Sequence, residues 1–107
     1  MSEQTRSIRI SLQSAGEGQS LFGPQDIFLK LIESEIPAQI ASREAEIVIH
    51  GNIQNVESLE QLFDVLLQLV RNGYVLTERD VKYAIELAKE LRADQLLDLF
   101  KGEITTT

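Results

Sequence analysis

Apolar residues at alternate positions open the readable part of the chain. Ile8, Ile10 and Leu12 alternate with Arg9 and Ser11, the period-two pattern of a half-buried strand. Gln13 to Ser20 interrupts the pattern with serine, glycine and glutamate and reads as a flexible loop. At Gly23-Pro24 the spacing changes. Proline suits a first helical position, and Ile27, Phe28, Leu31 and Ile32 then recur at helical intervals. Asp26 sits where a carboxylate favours the positive end of the helix dipole. Pro37 ends this helix, because the residue before a proline is pushed out of the α region. Two short strands follow, Ala38 to Ser42 and Ala45 to His50. The connection Ser42-Arg43-Glu44 is short enough only for a hairpin, so the pair is antiparallel.

Gly51-Asn52 punctuates the chain again, and Asn52 or Asn55 can cap the next helix. Val56, Leu59, Phe63, Leu66 and Val70 make an apolar seam that Leu62, Val65, Leu67 and Leu69 widen. A helix this apolar is expected to be covered on more than one side. Asn72-Gly73 stops it. Thr77 and Asp80 form a capping-box pair ahead of Val81, Ala84, Ile85, Ala88 and Leu91, which define a further helix. Leu96, Leu97, Leu99 and Phe100 predict a short last helix after Asp94, ended by Gly102. The β-prone tail Ile104 to Thr107 has no strand to pair with, which predicts that it continues into another domain. The order β-α-β-β-α-α-α is an α+β pattern, a small three-stranded sheet with helices on one face. It divides into a flexible N-terminus (1–6), an α+β domain (7–73), a helical extension packed on it (74–102) and the start of a linker (103–107).

The 107 residues suit one domain, and 43% hydrophobic with 25% charged residues is an ordinary globular balance. The absence of cysteine excludes disulfides, thiolate nucleophiles and cysteine-based zinc sites. A net charge of -7 is the opposite of what a dedicated nucleic-acid binder carries, so any such role must be local or assisted. No apolar run approaches the length of a membrane helix, and MSEQTRSIRI lacks a signal-peptide core. A soluble, cytoplasmic protein is expected.

Catalytic chemistry is missing from the pattern. Neither a GxxxxGK[ST] phosphate loop nor a GxGxxG turn occurs. His50, the sole histidine, ends a strand without clustered ligands and reads as structural or exposed, so no metal site is expected. The pairs Glu33 and Glu35, and Glu44 and Glu46, have the spacing of solvated faces. Nothing places them in the pocket that acid–base work requires. The chain is expected to catalyse nothing by itself.

Its most informative segment is Leu21-Phe22-Gly23-Pro24-Gln25-Asp26, followed by helix, strand, hairpin and a strand ending in His50-Gly51. A glycine turn opening a helix presents free N–H groups at a positive dipole end and can hold a phosphate. It can equally be a helix start that needs glycine and proline only for its geometry. This order resembles a KH domain, which binds single-stranded nucleic acid through a GxxG loop beside an apolar groove. Two departures from the KH pattern are Asp26 in place of the second glycine and the Gln13–Ser20 loop in place of the first KH helix. The resemblance points to Gly23, Pro24 and Gln25, with Lys30 and Arg43 as nearby cations, as candidate nucleic-acid-binding residues.

A resemblance to PhoH-family proteins covers nearly the whole chain. It is carried by Leu21-Phe22-Gly23 with Leu29-Lys30-Leu31-Ile32-Glu33, and by Ile47-Val48-Ile49-His50-Gly51 with Val56-Glu57. Leu69-Val70-Arg71-Asn72-Gly73, then Leu76-Thr77 and Asp80-Val81 with Ala84-Ile85, extend it. In that family a KH-like region precedes a P-loop ATPase domain. The resemblance implies a non-catalytic N-terminal KH-like domain that helps position RNA or a protein partner for that ATPase. No cofactor is expected in this segment; ATP and magnesium belong to the ATPase domain. The implied parent is a cytoplasmic ATP-binding protein, with roles as an RNA helicase or in RNA processing and a link to phosphate starvation. Its implied partners are the ATPase domain in cis, single-stranded RNA, an endoribonuclease and further copies of itself, with no membrane. A protein-interaction or oligomerisation module without nucleic-acid binding is the alternative, motivated by the apolar helix at 56–70.

Overall fold

The computed structural model describes residues 4–43 and 45–90. The helix expected after Asp94, the tail from residue 103, Leu91 and Glu44 lie outside them. The elements are strand β1 (Thr5–Ser11), helix α1 (Ala15–Phe22), a single 3₁₀ turn (Pro24–Asp26), helix α2 (Ile27–Glu35), strands β2 (Gln39–Arg43) and β3 (Glu46–Asn52), and helices α3 (Ile53–Arg71) and α4 (Glu78–Lys89). The α+β class and the three-stranded sheet are as the sequence predicts. The element it does not predict is α1.

The sheet is antiparallel throughout, in the order β1-β3-β2. Ile8 and Ile10 stand opposite Ile49 and Ile47, and Ile40 stands opposite Ile49. Because side chains alternate across a strand, these isoleucines share one face, and Ile47 and Ile49 are fully buried there. Arg9, Val48 and Ala41, in register across the three strands, share the opposite face.

Helix α3 is the core. Val56, Leu59, Leu62, Phe63 and Leu66 have no exposed surface, and Val65, Leu67 and Leu69 have almost none. It packs against β1 and β3 on one side and against α1 and α4 on the others. The breadth of its apolar surface is thereby accounted for within the chain, which removes the motive for an oligomerisation seam on this helix. Asn52 caps it by accepting the Gln54 N–H at 2.9 Å, and at its end Asn72 Nδ2 donates to the Gln68 carbonyl at 2.7 Å.

Helix α4 starts on the expected capping box. Thr77 Oγ1 accepts the Asp80 N–H at 3.2 Å, and Asp80 Oδ2 accepts the Thr77 N–H at 3.1 Å. Val81, Ala84, Ile85 and Ala88 bury its inner face, against α3 and α2. Thr77→Ala should cost about 1 kcal/mol of stability, read from the urea midpoint.

Candidate nucleic-acid and partner-binding groove

Helix α1 corrects the expectation of a loop over residues 13–20. Gly16, Gly18 and two serines give this stretch little intrinsic helicity, since glycine costs about 1 kcal/mol relative to alanine inside a helix. Tertiary contacts supply the rest. Leu21 and Phe22 are buried, and the Phe22 ring meets Phe63 of α3 edge-on, with centroids 6.4 Å apart and planes at 74°. Gly18 is also buried, and a Cβ there would stand 3.3 Å from Leu12 Cδ1. A Cβ there would oblige the Leu12 side chain to give by a few tenths of an ångström.

Glu17 anchors the same helix. Arg71 Nε donates to its Oε2 at 2.8 Å, Arg71 Nη2 to its Oε1 at 3.0 Å, and the Gln13 N–H to the same Oε1 at 2.8 Å. The hydrogen bonds from Arg71, then that from Gln13, hold the Glu17 carboxyl below its ordinary pKa of 4.5. A carboxylate with a lowered folded-state pKa contributes stability above its unfolded pKa and loses it as pH falls through the folded value. Glu17→Gln should therefore lower the urea midpoint at neutral pH. The deficit should vanish once the pH is below the folded pKa of Glu17, where the native carboxyl is also neutral.

Between α1 and α2 the chain turns through Gly23 to Asp26. Gln25 (φ 56°, ψ 30°) and Asp26 (φ 59°, ψ 30°) are both left-handed. A helix cannot run from Pro24 through two such residues, so α2 begins at Ile27, and Asp26 lies outside its first turn. Left-handed backbone costs a side-chain-bearing residue about 1–2 kcal/mol. Gln25→Gly should accordingly raise stability by about 0.5–1 kcal/mol, after the extra entropy of an unfolded glycine is deducted. A higher thermal midpoint is the readout.

Gly23 has φ 77° and ψ 173°, and a Cβ there would sit 2.7 Å from Phe28 Cδ2. Its glycine identity is thus required by packing and backbone geometry alone and is no sign of a phosphate site.

The turn forms one wall of a groove of about 710 Å³. Ala15, Gly18, Gln19 and Phe22 of α1 and Leu29 of α2 make much of its lining, the turn contributes Gly23 through Asp26, and Ser42 lines it from β2. Gly23, Pro24 and Gln25, three of the five residues singled out from the sequence, therefore meet in one concave site. Lys30 and Arg43 are exposed and are not among the residues that line it. Among the described residues no lysine or arginine lines the groove, and Asp26 is the one charged residue that does. The residues that sequence reasoning missed are those of α1, with Leu29 and Ser42. The available signal was Ser14-x-x-Glu17, the spacing of a capping box, followed by Leu21-Phe22. In the structure the Ser14 side chain makes no cap hydrogen bond and Glu17 holds Gln13 instead.

Elsewhere, His50 is exposed within β3, which runs on to Asn52, and hydrogen-bonds to Ser7 across the sheet. Among the described residues, no group of three or more His, Cys, Asp or Glu side chains is placed to hold a metal ion. No described helix is long and apolar enough to cross a membrane.

With α1 present, the order β-α-α-β-β-α and the turn between the first two helices match the KH layout that the sequence only partly suggests. A crystal structure of a protein of unknown function from Aeropyrum pernix has the same fold, with a TM-score of 0.67 at 14% identity over 94% of this chain and 55% of that one. No family model matches the sequence. The chain is 35% identical, over 105 residues and 98% of its length, to a PhoH-like protein of Bacillus subtilis, of which it spans 33%. The resemblance read from the motifs is thus borne out.

Proposed function

We propose that this chain is a non-catalytic N-terminal domain of a PhoH-like, ATP-binding protein, and that its groove holds a ligand in position for a P-loop ATPase domain. The groove at the Gly23–Asp26 turn carries this reading. It is a concave, partly apolar site at the place where a KH layout binds, on a chain whose sequence has no phosphate loop and whose described residues include no metal cluster.

Asp26 favours a protein segment as the occupant. A single-stranded RNA would bring its phosphates to a site whose one charged residue among those described is negative, on a chain of net charge -7. Phosphate contacts dominate RNA affinity, and the described lining of this groove offers no cation for them. RNA guidance is the second reading, favoured by the KH-like element order and by Lys30 and Arg43 outside the groove. Binding of decauridylate, titrated in salt, separates the two. The protein-segment reading expects no RNA binding even at low salt. RNA binding that weakens with salt and with Lys30→Ala would favour the second reading instead.

ATP and magnesium bound by the ATPase domain, an endoribonuclease partner, assembly with further copies, a role in RNA processing under phosphate starvation and a cytoplasmic location complete the proposal. They rest on the family resemblance, which the 35% identity to a PhoH-like protein supports.

A further inference from the structure

The two edges of the sheet differ. Beside β1, Arg9 and Ile10 share a concavity with Glu60, Gln61 and Asp64 of α3, so that edge is lined with charge. Charged side chains are a usual way to blunt an edge strand against pairing. The other edge is β2, and its first four residues, Gln39-Ile40-Ala41-Ser42, carry no charge and no proline. Ser42 of this strand lines the groove opposite the Gly23–Asp26 turn. A strand edge whose charge is confined to its last residue, Arg43, beside a groove is suited to receiving another strand.

We infer that an extended, lysine- or arginine-bearing segment of a partner protein adds to the sheet along the free edge of β2 and sets a cationic side chain against Asp26. This rests on the reading of the groove as the binding site and names its occupant. The five residues of β2 offer an edge of about 17 Å, enough to pair with a short extended peptide. Main-chain N–H and C=O groups at a peptide spacing are matched by another polypeptide, not by a sugar-phosphate chain. The charge argument runs the same way. Asp26 is exposed and makes no ion pair with a described residue, so its carboxylate is available to a cation. The apolar side chains of Phe22 and Leu29 would take the aliphatic stem of that lysine or arginine.

The test is an amide NMR titration of the ¹⁵N-labelled chain with a capped octapeptide of alternating lysine and threonine. A matched glutamate–threonine octapeptide and decauridylate serve as competitors of other chemistry. The lysine peptide is expected to shift the amides of residues 39–43 and of Gln25 and Asp26, and to slow hydrogen exchange in β2. The glutamate peptide and the RNA should do neither. Asp26→Asn, which keeps a residue tolerant of left-handed backbone, should weaken the lysine peptide about three- to fivefold. Glu33→Gln, the same charge change elsewhere on the surface, should leave its affinity nearly unaltered. Shifts at the turn without any change in β2 would overturn strand addition while leaving the groove as a binding site. Equal effects of Asp26→Asn and Glu33→Gln would overturn the Asp26 contact. Response to the RNA alone would overturn the peptide as occupant, and silence of both groove and strand with all three probes would overturn the site itself.

Discussion

Gly23→Ala should remove about 2–6 kcal/mol of folding stability, a large share of what a domain of this size has. Two costs combine. At φ 77° and ψ 173° the backbone lies in a region that is nearly glycine-only, worth about 1–3 kcal/mol to any other residue. The new Cβ would also stand 2.7 and 2.8 Å from Cδ2 and Cγ of Phe28. That ring is only 6% exposed and cannot swing into solvent without uncovering the core, which adds about 1–3 kcal/mol for overpacking. Urea denaturation at constant m-value is the measurement. A loss below about 1 kcal/mol would mean that the turn relaxes freely and is not held by its packing.

Phe63→Ala should cost about 3–5 kcal/mol, the usual range for a fully buried phenylalanine. The position of the ring makes the effect specific as well as large. Phe63 is the residue of α3 against which Phe22 stands edge-on, so its loss removes the support of α1. Amide exchange should therefore speed up in residues 15–22 before it does in β3 or α4. Uniform acceleration across the domain would show that α1 does not depend on this contact more than its neighbours do.

What could be read in the sequence and what could not follow from the same physics. Helix α3, the β2–β3 hairpin and the Thr77–Asp80 box were legible because periodic apolar residues lie between strong punctuation. Helix α1 was not, because its residues are small and polar except at Leu21 and Phe22, and its stability comes from Phe63 and Arg71, far away in the chain. The left-handed pair Gln25 and Asp26 was equally hidden, since glutamine rarely takes such backbone and Asp26 reads from sequence as a first-turn carboxylate. The groove needs both features. Gly23, Pro24 and Gln25 could be named from sequence as a corner, but the wall that Ala15, Gly18 and Gln19 provide appears only once α1 is folded. Lys30 and Arg43 are near the corner in the sequence pattern, but neither is among the residues that line the groove.

Filling the groove tests the account most directly. Ala15 is exposed at the start of α1 and lines the groove, so Ala15→Trp places an indole there with no core residue disturbed. The thermal midpoint should stay where it is, while binding of the lysine–threonine octapeptide is lost. An unaltered affinity in a chain that carries the indole would place the ligand on another surface and contradict the assignment of this groove.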